Sequence, residues 1–304
     1  MDINEKYFVG FEHRIIDTGE VKIHAWCGGT GHEAELLLHG HPESHLTWYA
    51  VAPRLAERYR VVIPDMRGYG ESSKPHGLPD HSTYSKRAMA RDQVFVMEKL
   101  GYQKFHIAGH DRGGRVCHRM MLDYPEKIKS CLLLDIIPTL DVYNRTDREI
   151  ATKYWHWFFY IQPEPFPETF LGAEPAYFIR SNIRKKTIPG TIGKQQFPED
   201  IVREYIRYYS EPATVHAIAE DYRASATIDW NLDMADLGRT IQTPICCLWG
   251  SNGNICRYWD VLGIWKKLAN HVTGYGIPGC GHFVPEEKPE TVIQELEKMI
   301  EANR

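Results

Sequence analysis

Short apolar runs of five or six residues alternate along this chain with longer amphipathic stretches. That rhythm predicts a mostly parallel sheet with helices packed on both faces. The expected strands cover residues 11–16, 21–26, 35–39, 60–64, 104–108, 131–135, 244–249 and 272–277. The turn sequence Asp17-Thr18-Gly19-Glu20 joins the first two as an antiparallel hairpin. From the third strand onward a helix pattern follows each apolar run, which calls for parallel crossovers. Between about Thr139 and Leu237 the alternation stops. Aromatics, prolines and helical patterns dominate there, and the run WHWFFYIQPEPFPETF is typical. The pattern therefore predicts one α/β core, residues 1–139 and 237–304, with a helical cap, residues 140–236, inserted after the sixth strand. The expected fold class is an α/β-hydrolase fold with an eight-stranded, mostly parallel sheet.

Composition narrows this little. The chain has 304 residues, 43% hydrophobic and 25% charged, with a formal net charge of -4, an ordinary globular balance. A mild negative charge does not suit a polyanion binder, so nucleic acid is not an expected partner. The N-terminus MDINEKYFVGFEHR carries charges from its second residue and has no apolar stretch of signal-peptide type. No apolar run approaches the roughly 20 residues of a membrane helix. Seven cysteines occur, and adjacent Cys246 and Cys247 lie within an apolar run, as buried free thiols do. A cytoplasmic protein with reduced cysteines is the expectation.

The sharpest chemical signal is Phe105-His106-Ile107-Ala108-Gly109-His110-Asp111-Arg112-Gly113-Gly114. A strand runs into small-x-nucleophile-x-small and then into a helix, the turn that serine hydrolases write as GxSxG. Small residues flank the nucleophile because the backbone is strained and close-packed there. Asp111 takes the nucleophile position, beside a helix N-terminus that favours its negative charge. A carboxylate can attack a saturated carbon and form an ester, whose hydrolysis then requires a base and oxyanion donors. The competing reading of Gly-His-Asp-Arg-Gly is a surface turn with a helix cap, against which the preceding strand and following helix both weigh.

His282, in the glycine-rich loop Pro278-Gly279-Cys280-Gly281-His282-Phe283, is the expected base and completes the chain order nucleophile, acid, histidine. The acid can follow the sixth or the seventh strand. Trp249-Gly250-Ser251-Asn252-Gly253-Asn254 offers no carboxylate, whereas Leu134-Asp135-Ile136 places one in an apolar run. A lone buried carboxylate is costly, and orienting His282 would give Asp135 a partner. Backbone amides of His41, in His39-Gly40-His41-Pro42, and of Arg112 are the candidate oxyanion donors. A metal held by His39, His41 and His45 is disfavoured because no carboxylate is interleaved. No cofactor is expected.

These residues resemble the branch of α/β hydrolases that holds haloalkane dehalogenases and epoxide hydrolases. The segments Gly-His-Asp-Arg-Gly-Gly-Arg, Leu-Asp-Ile-Ile-Pro-Thr at 134–139, Tyr-Trp-His-Trp-Phe at 154–158 and Asp-Tyr-Arg-Ala at 221–224 narrow the resemblance to the fluoroacetate (haloacetate) dehalogenases. The resemblance implies that Arg112 and Arg115 hold a substrate carboxylate and that His156, Trp157 and Tyr222 cradle the leaving halide. It also implies a homodimer, with a small anionic haloacid and water as reactants. Two guanidiniums three residues apart suit forked binding of a carboxylate, although an ion-paired arginine pair is the alternative. The cap aromatics alone read more readily as core packing. His41 stands where the family carries phenylalanine. Arg184-Lys185-Lys186-Thr187 replaces an apolar stretch with a pocket-lining tryptophan, Lys186 being its nearest counterpart. Cys280 looks like a one-residue insertion. Together these differences leave the chemistry intact and the exact substrate open, a larger or more polar 2-haloacid included. Two other functions compete. An epoxide hydrolase would share the nucleophile, with Tyr222 available to protonate the ring oxygen, but leaves both elbow arginines unexplained. A non-catalytic ligand-binding homologue would be expected to have a broken triad. A serine esterase is disfavoured because no serine sits at the elbow.

Overall fold

The computed structural model describes residues 2–187 and 197–304. All eight expected strands form, as β1 (Glu12–Asp17), β2 (Lys22–Gly28), β3 (Ala34–Leu38), β4 (Arg60–Pro64), β5 (Phe105–His110), β6 (Ile128–Leu134), β7 (Ile245–Gly250) and β8 (Val272–Ile277). They make one sheet in the order β1-β2-β4-β3-β5-β6-β7-β8. β1 and β2 are an antiparallel hairpin, β2 meets β4 antiparallel, and the remaining neighbours are parallel. Every residue of β3 and β5 is buried. Helices cover both faces of such strands, so their sequences read as continuous apolar runs. β1 is an edge strand and has one buried position.

β4 and β8 have the expected ends, and the other strands differ from the sequence expectation by up to three residues. The consequential shift is in β5, which runs on to His110. The strand therefore ends at the residue before Asp111, whose own N–H still donates to the Leu134 carbonyl at 3.3 Å, and the helix Arg112–Asp123 starts immediately after it.

Between β6 and β7 eight helices follow one another, from Thr139–Asn144 to Ile228–Ala235, and no strand occurs there among the described residues. This insertion is fixed to the core by buried charge. Arg119 of the core donates to Asp233 at 2.7 Å and to Asp236 at 2.5 Å. Arg112 and Lys86 pair with Asp221. No helix among the described residues is long and apolar enough to cross a membrane. All seven cysteines are unpaired, and Cys246 and Cys247 are buried.

Candidate active site

Asp111, Asp135 and His282 arrive at one point from three crossovers, at the carboxyl edge of the sheet, where ligands bind in open α/β folds. Asp111 follows β5 with φ 45° and ψ -111°. This is a strained conformation for a non-glycine residue, held because the flanks are packed too closely to relax. A Cβ on Gly109 would come within 2.6 Å of the Gly113 backbone, and one on Gly113 within 2.5 Å of the Leu38 and His39 carbonyls. The turn lifts the Asp111 carboxylate above the sheet, where Oδ1 accepts from the His41 N–H at 3.1 Å. His282 Nε2 lies 3.7 Å from Asp111 Oδ2, has no hydrogen-bond partner and is buried. Its Nδ1–H donates to Asp135 Oδ2 at 2.5 Å, while Asp135 Oδ1 accepts from the Gly250 N–H at 3.1 Å. That second bond fixes the carboxylate, which in turn fixes the imidazole tautomer with Nε2 turned toward Asp111.

The electrostatics set these groups in complementary states. Burial pushes the Asp111 carboxyl up, but the attraction of His282 in its protonated form and of Lys186, His110 and Arg115 outweighs it and holds the group well below the usual carboxylate range. Burial lowers the His282 imidazole, opposed by its bond to Asp135 and assisted by the positive charge of Lys186. The result is an ionised Asp111 carboxylate facing a His282 imidazole whose pKa lies below its ordinary value, an arrangement able to support nucleophilic attack followed by general-base hydrolysis.

Sequence reasoning missed the support beneath this pair. His110 donates from Nδ1 to Glu43 Oε2 at 2.9 Å and from Nε2 to the His282 carbonyl at 2.8 Å. Both partners are acceptors, so both ring nitrogens carry protons. Burial lowers the His110 pKa, but the Glu43 carboxylate overcomes it and raises the group to about 9. Glu43 also accepts from the Gly40 N–H at 2.8 Å. The Glu43–His110 pair thus ties the His41 loop, the elbow and the His282 loop together. Its signal was present in His39-Gly40-His41-Pro42-Glu43 and in the histidine before Asp111, but the partner of each is 67 residues away.

A cavity of about 520 Å³ opens above the triad. Of the residues named from sequence, Asp111, Arg115, Asp135, His156, Trp157 and His282 line it, while His41, Arg112 and Tyr222 stand behind that lining. Arg112 departs from the expected carboxylate grip. Its Nε and Nη2 donate to the two Asp221 oxygens at 2.9 and 2.6 Å, and Nη2 also reaches Ser225 Oγ at 2.5 Å. Only Nη1 lacks a partner. A buried carboxylate with two cations beside it holds the guanidinium fork, so Arg112 offers a ligand one nitrogen at most. Arg115 Nη1 donates to the Ile137 carbonyl at 2.5 Å, and its Nε has no partner. Its guanidinium lies 4.6 Å from the Trp157 ring, and that of Arg112 4.2 Å from the Tyr222 ring.

His156 is neutral. Burial lowers its pKa far below the ordinary value, and Lys186 adds to the effect. Trp157 and Tyr222 meet edge to face at 5.6 Å. His39, His41 and His45 do not converge. His39 bridges the Gly40 carbonyl and the Met66 N–H, His45 pairs with Asp65, and His41 contacts Tyr160 at 3.3 Å.

An α/β sheet with an aspartate at a strand-to-helix elbow and a histidine–aspartate pair behind it defines a hydrolase of the α/β class, and comparison agrees. The chain belongs to the α/β-hydrolase family, whose model matches residues 36–289. Within it the chain groups with the fluoroacetate dehalogenases. It is 43% identical over 293 residues to the fluoroacetate dehalogenase of a Burkholderia species, covering 96% of this chain and 95% of that one. The soluble epoxide hydrolase of Corynebacterium sp. strain C12 is 30% identical, with 90% of this chain and 91% of the relative covered. Among solved structures, a putative α/β hydrolase from Nostoc sp. PCC 7120 superposes with a TM-score of 0.93 at 47% identity, covering 96% of this chain and 99% of that one.

Proposed function

We propose that this protein hydrolyses the carbon–halogen bond of small 2-haloacids and releases 2-hydroxy acids. The observation that carries the reading is the ionised Asp111 facing the neutral His282 on the floor of a cavity with Arg115 and an aromatic wall. In the first half-reaction an Asp111 oxygen attacks the carbon next to the substrate carboxylate. A C–O bond forms, the carbon–halogen bond breaks, and halide leaves with the bonding pair. Arg115, with Arg112 Nη1 behind it, balances the substrate carboxylate. His156, Trp157 and Tyr222 are the proposed donors to the departing halide, where charge develops. In the second half-reaction His282 Nε2 takes a proton from water. The hydroxide adds to the Asp111 carboxyl carbon while the His41 and Arg112 amides stabilise the oxyanion. Collapse expels the 2-hydroxy acid, which recovers the proton from His282. The helices of residues 140–236 serve as the cap that closes the cavity, and the unpaired cysteines suit a cytoplasmic setting.

Purified protein incubated with fluoroacetate, chloroacetate and bromoacetate should release halide from each, fluoride included. Asp111→Asn should abolish release, and substantial residual turnover would remove the nucleophile from its role. His282→Asn should accumulate one ester adduct on the Asp111 peptide, visible by mass spectrometry. An inactive, unmodified variant would contradict the proposed division of labour.

An epoxide hydrolase is the second reading. The Corynebacterium relative favours it, as do Tyr154 and Tyr177 in the cavity lining, which could protonate a ring oxygen. Turnover of styrene oxide without halide release from any haloacid would select it.

A further inference from the structure

The helix Pro175–Lys186 turns one face to the catalytic cavity, where Tyr177, Phe178, Ser181, Asn182, Lys185 and Lys186 line it at helical spacing. Along that face the chemistry changes from aromatic to amide to ammonium as the helix approaches the triad. Lys186 is fixed at the near end by its backbone, whose carbonyl accepts from the His282 N–H at 2.8 Å. Burial lowers the pKa of its ammonium, against the attraction of Asp111, Glu43 and Asp135. Among the described residues this ammonium has neither an ion pair nor a hydrogen bond.

A cavity of about 520 Å³ is of the size that encloses drug-sized ligands, far more than a two-carbon acid fills. Among its lining cations, Arg115 and Lys186 both act on the reacting Asp111 carboxylate, while a haloacetate has one anionic group to give them. We infer that Lys186 forms a second anion subsite, and that the preferred substrates are 2-halo dicarboxylic acids of the 2-halosuccinate type. This rests on the proposed dehalogenase reading and deepens it. The carboxylate next to the halogenated carbon lies at Arg115, and the distal carboxylate accepts from Lys186 Nζ.

Chloride release from 2-chlorosuccinate and 2-chlorobutyrate tests the subsite, because these four-carbon acids differ only in the distal group. The native enzyme should favour chlorosuccinate in kcat/KM by roughly 10- to 100-fold, the value of a charge-assisted hydrogen bond. Lys186→Met should bring the ratio to about one or below, and Lys186→Arg should keep most of it. Calorimetric binding of succinate needs no turnover and should weaken by at least about tenfold in Lys186→Met. A native preference for chlorobutyrate, or a ratio and a succinate affinity unchanged in Lys186→Met, would overturn the inference. Chloride release from chloroacetate without distal discrimination would remove the subsite and leave the dehalogenase reading standing. Lys186-dependent succinate binding without halide release from any haloacid would do the reverse.

Discussion

Asp221 is the residue whose loss should reveal how the helical insertion and the elbow are held together. It is fully buried and accepts from Arg112 Nε and Nη2, from the Tyr69 hydroxyl at 2.7 Å and from the Lys86 ammonium. Burial pushes its carboxyl up, but Arg112 and Lys86 outweigh this and hold it far below the usual range. At 2.6 Å and an effective dielectric of about 20, the attraction to Arg112 alone is about 6 kcal/mol. Part of this offsets desolvation, so breaking such a buried pair costs a net ~3–5 kcal/mol, because it leaves unbalanced cations in the interior. Asp221→Asn preserves shape and removes the charge. At ~2 °C per kcal/mol for a chain of this size, the melting temperature should fall by about 6–10 °C. Removing one stranded cation as well, in Asp221→Asn with Lys86→Met, should recover part of the loss, since the two sites share one network. The native contribution is present above the ordinary aspartate range and is lost only as pH falls through the depressed folded-state pKa. Thermal unfolding by circular dichroism at pH 7 measures it. A fall of less than about 2 °C, or no recovery in the double variant, would refute the claim that Asp221 neutralises Arg112 and Lys86.

Three further outcomes follow from the same geometry. Arg115→Leu should raise KM for haloacetate about tenfold or more, the loss of a charged contact, whereas Arg112→Leu should lower the melting temperature more than it raises KM. Equal kinetic effects would restore the symmetric arginine pair. The acid limb of kcat/KM should fall below the ordinary imidazole value of about 6.5, because burial lowers His282. Lys186→Met should move that limb upward by removing a positive neighbour, and an unmoved limb in both proteins would contradict the assigned field. Glu43→Gln should lower kcat on the order of tenfold with little change in KM, since His110 then loses its reason to be cationic and holds the His282 loop less firmly. Unchanged kcat would show that the loop needs no such tie.

The core and the convergence of Asp111, Asp135 and His282 were legible in the sequence because their determinants are local. Parallel strands buried on both faces read as apolar runs, and a tight strand-to-helix elbow demands small residues at Gly109 and Gly113 whatever surrounds it. Asp135 and His282 could be assigned because each follows a strand at a fixed place in the chain order. The insertion was harder to read. Its aromatics carry no period that separates core from cavity, and Trp157 and Tyr222, so close in sequence character, occupy different positions, one lining the cavity and one behind it.

By itself, then, the sequence determined the eight strands, the elbow and the three groups at the carboxyl edge of the sheet. Only the tertiary structure decided which cations face the cavity. Arg112 and Arg115 share a helix and three-residue spacing, but Asp221, 109 residues away from Arg112, captures one guanidinium and leaves the other facing the cavity. Glu43 charges His110, and the Lys186 backbone, bonded to the His282 amide, brings its ammonium within electrostatic reach of Asp111. Charge placement in a buried site depends on which distant partners arrive there. Propensity and spacing carry no record of that, because the pairing is fixed only when the helices of residues 139–235 pack on the sheet.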